Sequence, residues 1–221
     1  MTPAALIEQF GPRETMEYDV VIVGGGPAGL AAAIHLKQIA AQTSADVSVV
    51  VIEKGSEPGA HILSGAVMDP RAMNELFPNW QSLGAPLDQP VTADELLVLS
   101  ANDHTATPSW LMPRNFHNDG CYVVSLSNVV KWLAQQAESL GVDLFPGFTA
   151  AEVLYNEQGA VIGVATGHVG LGKDGQPTDH FQLGMALHAK YTLFAEGARG
   201  HLGKQLIERF HLNEGKDPQT F

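Results

Sequence analysis

A single cysteine, Cys121, occurs in 221 residues. No disulfide can close within the chain, and no thiolate-rich metal or iron–sulfur site can be built from it. Beside the apolar run that follows, Cys121 reads as a small residue at a strand start rather than as a reactive thiol. Basic residues are also scarce. There are 12 Lys and Arg against 24 Asp and Glu, a formal net charge of −12. Such a chain lacks the basic footprint of a nucleic-acid binder. It has no general attraction to anionic lipid, so only a local apolar patch could bring it to a membrane surface. No uninterrupted apolar run approaches the roughly 20 residues that span a bilayer. Met1 to Glu17 has neither the apolar core of a signal peptide nor the basic character of a transit peptide, so a cytoplasmic origin is expected. There is no internal repeat and no low-complexity tract. The 9 histidines are scattered without ligand spacing and predict no metal site. No Ser/His/Asp arrangement with supporting context is present, and no catalytic acid–base residue is assigned. With 45% apolar residues, the chain can bury the core of one large domain, or of one domain plus an elaboration.

What is abundant is glycine in one place. Tyr18 to Val23 is a buried-strand pattern that runs straight into Gly24-Gly25-Gly26-Pro27-Ala28-Gly29, and a helical pattern follows from Leu30 to Ala41. Gly24 suits a tight turn leaving the strand. Gly26 lets the backbone approach a pyrophosphate, and Gly29 lets the helix pack on the sheet. The helix start offers free N–H groups and partial positive charge to phosphate, with Pro27 and Ala28 in its first turn. Val47 to Ile52 reads as a second parallel strand ending at Glu53, with Lys54 beside it. An acidic side chain there accepts from ribose hydroxyls and repels a 2′-phosphate. The pattern therefore predicts FAD or NAD rather than NADP.

The rest of the chain divides around this unit. Residues 1–17 form an N-terminal arm. Residues 18–58 and 122–221 form the nucleotide domain, and 59–121 are an insertion rich in turns. Tyr122–Val124 is a strand, a helix follows to Leu140, and Val142–Phe145 is the third parallel strand. Ala151–Tyr155, Val161–Val169 and about Phe181–Leu187 suggest a three-stranded meander, with turns at 156–159 and 173–177. Lys190–Ala195 is a further strand, and Glu196 and Gly197 open the turn after it. A helix runs from about His201 to Phe210, and His211 to Phe221 is polar. A fold of this class ordinarily continues, so the chain reads as part of a longer protein with an incomplete fold.

Several segments resemble electron-transfer flavoprotein:ubiquinone oxidoreductases. They include Gly59-Ala60-His61-Ile62-Leu63-Ser64-Gly65-Ala66, Glu75-Leu76-Phe77-Pro78-Asn79-Trp80, the stretch Val142 to Tyr155, and Phe194-Ala195-Glu196-Gly197-Ala198-Arg199-Gly200-His201-Leu202. The likeness covers nearly all of residues 18–221, and the GAH-x-LSGA segment is more specific than the glycine motif. The resemblance implies a Rossmann-like FAD-binding domain of the glutathione-reductase/hydroxylase type, with a three-stranded β-meander and a membrane-facing insertion. In that family one chain holds FAD, a [4Fe–4S] cluster and a ubiquinone site, and relays electrons from electron-transfer flavoprotein to membrane ubiquinone. Only the N-terminal FAD-holding portion is matched, so cluster and quinone are expected of the full-length protein and this chain alone is expected to be inactive. The expected location is peripheral, on the cytoplasmic side of a bacterial inner membrane. The alternatives are a related reductase or hydroxylase using NAD(P)H on an organic substrate, and a flavin-binding module without activity of its own.

On the same resemblance, Ser64 and Gly65 approach the flavin ring, and Glu196 and Gly197 close over the phosphates. Ser125 stands where related flavoproteins often carry an Arg for those phosphates, a departure from the family's pattern. Residues 59–80 are implied to form an amphipathic membrane-surface segment. It would present Ile62, Leu63, Met68, Met73, Leu76, Phe77 and Trp80 to lipid. From spacing alone the same stripe is an ordinary core-facing one.

Overall fold

The computed structural model describes residues 3–216. Residues 217–221, the end of the polar terminal stretch, lie outside the described residues, as do Met1 and Thr2. The arm opens as a short helix, α1 (Pro3–Phe10), and its last residues already belong to β1 (Thr15–Val23). The β-branched end of β1 is buried, and the chain turns at Gly24 into α2 (Pro27–Thr43). This helix begins earlier than its apolar spacing suggests. Pro27 at its start has φ preset for a helix and lacks an N–H that would go unpaired there. It ends on Ser44 in the left-handed region, whose N–H donates to Ala40 and Ala41 carbonyls. The strand β2 (Val49–Glu53) follows.

The insertion contains β3 (Gly65–Met68), α3 (Arg71–Leu76), β4 (Gln89–Pro90), and a hairpin of β5 (Leu96–Leu99) and β6 (His104–Thr107). Two 3-10 turns, Ser109–Leu111 and Arg114–Phe116, lead to β7 (Tyr122–Ser125). β7 joins the insertion's own sheet, in the order β3-β7-β4, and runs directly into α4 (Leu126–Ser139). Next come β8 (Asp143–Pro146), β9 (Ala150–Tyr155), β10 (Val161–Thr166), β11 (Val169–Leu171), β12 (Pro177–Gln182), β13 (Ala186–Phe194) and α5 (His201–Arg209).

The main sheet has six strands in the order β8-β2-β1-β13-β10-β9. β8, β2, β1 and β13 are parallel; β10 and β9 continue antiparallel. The β9–β10 turn is held by Asn156, whose side-chain oxygen accepts from the Gln158 and Ala160 N–H groups.

The expected meander differs in its third strand. Phe181–Leu187 and Lys190–Ala195 do not form two strands. The chain bends at Gly184, where a Cβ would lie 1.9 Å from the Thr166 carbonyl oxygen. After this bend a single strand, β13, pairs with both β10 and β1. β12 pairs only with β11, in a separate two-stranded ribbon.

Both faces of the sheet are covered, as a largely parallel sheet requires. On one face Val20, Ile22, Val49 and Val51 pack with α2 and α4. On the other, Val21, Val23, Val50 and Ile52 pack with Val153, Val164, Leu187 and Leu202. The first half of the insertion folds onto the α2/α4 face and contributes Met73, Phe77, Trp80, Ala85 and Leu87 to the same core.

That placement corrects the membrane reading for three residues. Met73, Phe77 and Trp80 are buried. The Phe77 ring meets Trp132 edge-on at 5.2 Å, and Trp80 meets Tyr122 likewise at 5.6 Å. The Trp80 indole N–H donates to Asn74 at 2.7 Å. The stripe misleads because no single helix carries it: α3 ends at Leu76 and the chain then turns, folding Phe77 and Trp80 beneath it. Ile62, Met68 and Leu76 are half-buried against this core, and Leu63 alone of the seven is exposed.

Candidate functional site

The carboxyl ends of β1, β2 and β13 converge on a cleft of about 550 Å³. β1 lies between β2 and β13, so the chain leaves it in one direction and returns on the other side. Ligands of open α/β sheets bind at such a switch point. The cleft is lined by Val23 to Ala28 from the glycine turn, Ile52 to Lys54 from β2, Phe148 to Ala150, and the turn after β13 from Ala195 to Gly197 with Arg199 to His201. Gly59, His61 and Ile62 close one side.

The glycines of the turn differ in what they permit. At Gly24, φ is +110° and a Cβ would lie 2.4 Å from the Ala195 carbonyl oxygen. At Gly29 a Cβ would lie 2.0 Å from the Gly24 carbonyl oxygen and would press on Ile22 and Ala195. Both positions keep the strand, the turn and α2 in close contact. At Gly26 nothing lies within 4 Å of where a Cβ would be. The space beside Gly26 opens into the cleft, at the helix start, where no side chain caps α2. Its first N–H groups and the positive end of its dipole are available to an anion.

Glu53 faces this turn. One carboxylate oxygen accepts from the Gly25 N–H at 2.9 Å and the other from Gly55 N–H at 2.7 Å. Each oxygen keeps a lone pair that can accept a hydroxyl. The next loop is tied to the same strand end, since Phe148 N–H donates to the Glu53 carbonyl and Gly147 N–H to that of Gly55. Lys54 lies exposed at the cleft wall.

Glu196 lines the cleft but its carboxylate is engaged. It accepts from the N–H groups of His201 and Leu202, each at 3.1 Å, and of Gly203 at 2.7 Å, and so caps α5. Gly197 lies in the turn before that cap, with φ +78°. Of the two helix starts at the cleft, α5 is therefore neutralised by a carboxylate and α2 is free. Ser64 and Gly65 are exposed at the start of β3 and do not line the cleft.

Three features escaped the sequence reading. Phe148, Thr149 and Ala150 enter through the loop after β8, which carries no recognisable motif. Arg199 lines the cleft from the β13 side, so a cation is present although Ser125 is not one. Ser125 is the N-cap of α4, accepting from the Asn128 N–H at 3.5 Å. Gly59 is fixed by φ +84° and by contact with Ser127, whose hydroxyl donates to the Gly59 carbonyl at 2.9 Å. Among the described residues there is no group of three or more His, Cys, Asp or Glu able to hold a metal ion.

Known proteins place this geometry. Residues 22–81 match the family model of an NAD(P)-binding Rossmann-like domain. A probable electron transfer flavoprotein-ubiquinone oxidoreductase of Acinetobacter baylyi is 59% identical over 95% of this chain and 37% of its own. The Pseudomonas aeruginosa protein of that name is 56% identical, over 95% and 38%. This chain is a homologue of electron transfer flavoprotein-ubiquinone oxidoreductases. A mitochondrial one from Mus musculus is 51% identical over 95% of this chain and 34% of its own. The chain thus spans about a third of the length of the oxidoreductases it matches. Among solved structures, the flavin-dependent monooxygenase PieE in complex with FAD and substrate has a TM-score of 0.60 at 18% identity, covering 86% of this chain and 32% of its own. A geranylgeranyl bacteriochlorophyll reductase-like protein from Thermoplasma acidophilum has 0.55 at 20%, covering 82% and 39%. These likenesses show the fold.

Proposed function

We propose that this chain holds FAD non-covalently in the cleft at the ends of β1, β2 and β13. In this reading it is the flavin-binding portion of an electron-transfer flavoprotein:ubiquinone oxidoreductase. The observation that carries the reading is the open space at Gly26, set between the uncapped start of α2 and the Glu53 carboxylate. A pyrophosphate at Gly26 receives N–H groups from the start of α2, around Pro27 and Ala28, while Gly24 and Gly29 keep the turn tight. Glu53 accepts from the adenosine ribose and disfavours a 2′-phosphate. Lys54 and Arg199 supply positive charge at the cleft wall, and Gly197 leaves the phosphate side open. Ser64 and Gly65, exposed at the start of β3, are assigned to the flavin ring on the family resemblance.

The flavin supplies the redox chemistry when bound; the protein positions it and tunes its surroundings. In this reading the [4Fe–4S] cluster and the ubiquinone site are expected outside residues 1–221, which hold the single cysteine Cys121. The electron donor is reduced electron-transfer flavoprotein and the acceptor ubiquinone. No described helix is long and apolar enough to cross a membrane. Contact with the cytoplasmic side of a bacterial inner membrane would be peripheral. Leu63, the hairpin residues Val98 and Leu99, and Trp110, the most exposed large apolar side chains of the insertion, support it.

The test is the visible spectrum of the purified chain, repeated on the supernatant after heating. A flavin spectrum released by heat, with the pigment running as FAD on chromatography, supports the reading. A folded, colourless chain that binds NAD and not added FAD overturns it.

A further inference from the structure

Among the described residues β11 and β12 pair with each other and with no other strand, so their ribbon is held to the body at its root, between the end of β10 and the start of β13. At that root the Thr166 N–H donates to the Met185 carbonyl at 2.9 Å, and the Met185 N–H donates to the Thr166 hydroxyl oxygen at 2.9 Å. Next to it, the Gly184 N–H donates to Nδ1 of His168 at 3.0 Å. Successive backbone donors, of Met185 and Gly184, thus end on side chains, and His168 is the acceptor that titrates. Further out, the Phe181 ring of β12 meets Phe10 of α1 at 4.6 Å and the His168 ring at 5.8 Å. Between the ribbon and the loop after β8 lies a cavity of about 890 Å³, lined by Glu14, Phe148, Thr149, His168, Phe181 and Gly184 among others.

A neutral imidazole can accept at Nδ1; an imidazolium only donates. Gly184 is buried, so protonation of His168 leaves a buried N–H without an acceptor, which is costly. The charges around the ring come from two elements. Arg13, before β1, is 8% exposed and bonded to Glu152 of β9 at 2.6 Å. Arg13 opposes a second positive charge and Glu152 favours it; burial and Arg13 prevail and hold the ring below its usual pKa. Glu14 lines the same cavity.

We propose that His168 latches the β11–β12 ribbon, and that its protonation frees residues 169–184 and opens this cavity while the six-stranded sheet stays folded. The proposal is independent of the flavin reading. In the freed state the ring meets water and takes up a proton at its ordinary value, about 6.5. Release is therefore favoured as the pH falls below that value and disfavoured above it. A two-stranded ribbon without neighbours is marginal in water, so its own hydrogen bonds are lost with the latch.

Amide hydrogen exchange tests this, expressed as protection factors so that the intrinsic pH dependence of exchange is removed. From about pH 7.5 to about pH 5, protection of Gly184 and of β11 and β12 falls several-fold, with the midpoint at which the His168 ring titrates by NMR. The amides of β1 and β2 stay better protected than the ribbon at every pH. Ribbon protection that does not change with pH overturns the proposal. So does ribbon protection equal to that of β1 and β2 throughout, which would mean exchange through global unfolding alone. His168→Asn gives a second reading, since an amide oxygen can accept from the Gly184 N–H and does not titrate in this range. Its ribbon protection is expected to be independent of pH, and the same acid loss in this variant overturns the latch. If the variant fails to fold, the coincidence of the two midpoints in the unsubstituted chain decides.

Discussion

The Glu53 carboxylate accepts a hydrogen bond from the Gly25 N–H at 2.9 Å, joining the end of β2 to the glycine turn after β1. One side chain thus shapes the turn and faces the cleft. Glu53→Ala removes an anionic acceptor from two backbone donors and, in the proposed binding mode, from the ribose. Hydrogen bonds to charged groups contribute about 1.5–3 kcal/mol each, so FAD affinity is expected to fall at least tenfold. Titration of flavin-free protein with FAD, followed by fluorescence quenching, measures it. Unchanged affinity would show that the ribose lies elsewhere.

The glycines separate fold from binding. Gly26→Ala puts a methyl group into open space. Its expected cost in stability is within about 0.5 kcal/mol, while FAD affinity drops tenfold or more because the methyl occupies the phosphate's place. Gly24→Ala and Gly29→Ala drive a Cβ onto backbone oxygens at 2.4 and 2.0 Å, so both stability and flavin content fall. Urea denaturation and flavin titration of the three variants read the two effects apart. A Gly26→Ala protein that binds FAD normally would remove the phosphate from this turn.

The βαβ unit was legible because its signals are local: the β-branched run to Val23, the glycine turn, and Glu53 closing β2. The position of each glycine in the motif already assigns Gly24 to the turn, Gly26 to the open approach and Gly29 to helix packing, and the close contacts at Gly24 and Gly29, with none at Gly26, agree. Phe148 was not legible, since its approach depends on hydrogen bonds from the loop after β8 to the end of β2. Glu196 is expected at the phosphates because it ends a buried strand opposite the first glycine turn, and it does line the cleft, but its carboxylate is engaged. Its three N–H partners come from the helix that follows, and a sequence shows the helix without showing where the side chain turns. The bend at Gly184 was hidden for a related reason. It is required by Thr166, distant in sequence.

His168 gives a pH dependence remote from the nucleotide turn. Its Nδ1 accepts from the Gly184 N–H at 3.0 Å, so in this arrangement the ring is neutral with its proton on Nε2. Burial, followed by the nearby charge of Arg13, lowers its pKa below the usual 6.5. A depressed folded-state pKa means that the unfolded chain takes up the proton first as pH falls. The stabilisation is full above about pH 6.5 and is lost as pH drops through the lower folded value. Urea midpoints are therefore expected to decline below pH 6.5, less steeply in His168→Asn. An NMR titration placing the His168 pKa above 6.5 would contradict this.

Trp80 and Trp110 separate core from surface in the insertion. Trp80 is 6% exposed and fully partnered, while Trp110 is 81% exposed on the segment after β6. Trp80→Ala opens a cavity among Tyr122 and the α2/α4 core, at a cost of about 3–5 kcal/mol. It is expected to lower the urea midpoint sharply. Trp110→Ser together with Leu99→Ser removes apolar surface without touching that core, so stability stays within about 0.5 kcal/mol for each site. Co-sedimentation with liposomes then reads the surface. The Trp110 and Leu99 variant should bind several-fold less than the unsubstituted chain, since interfacial Trp and Leu provide the apolar contact. The charge of −12 offers no electrostatic substitute. Equal binding of this variant would mean that the exposed hairpin is not the lipid contact.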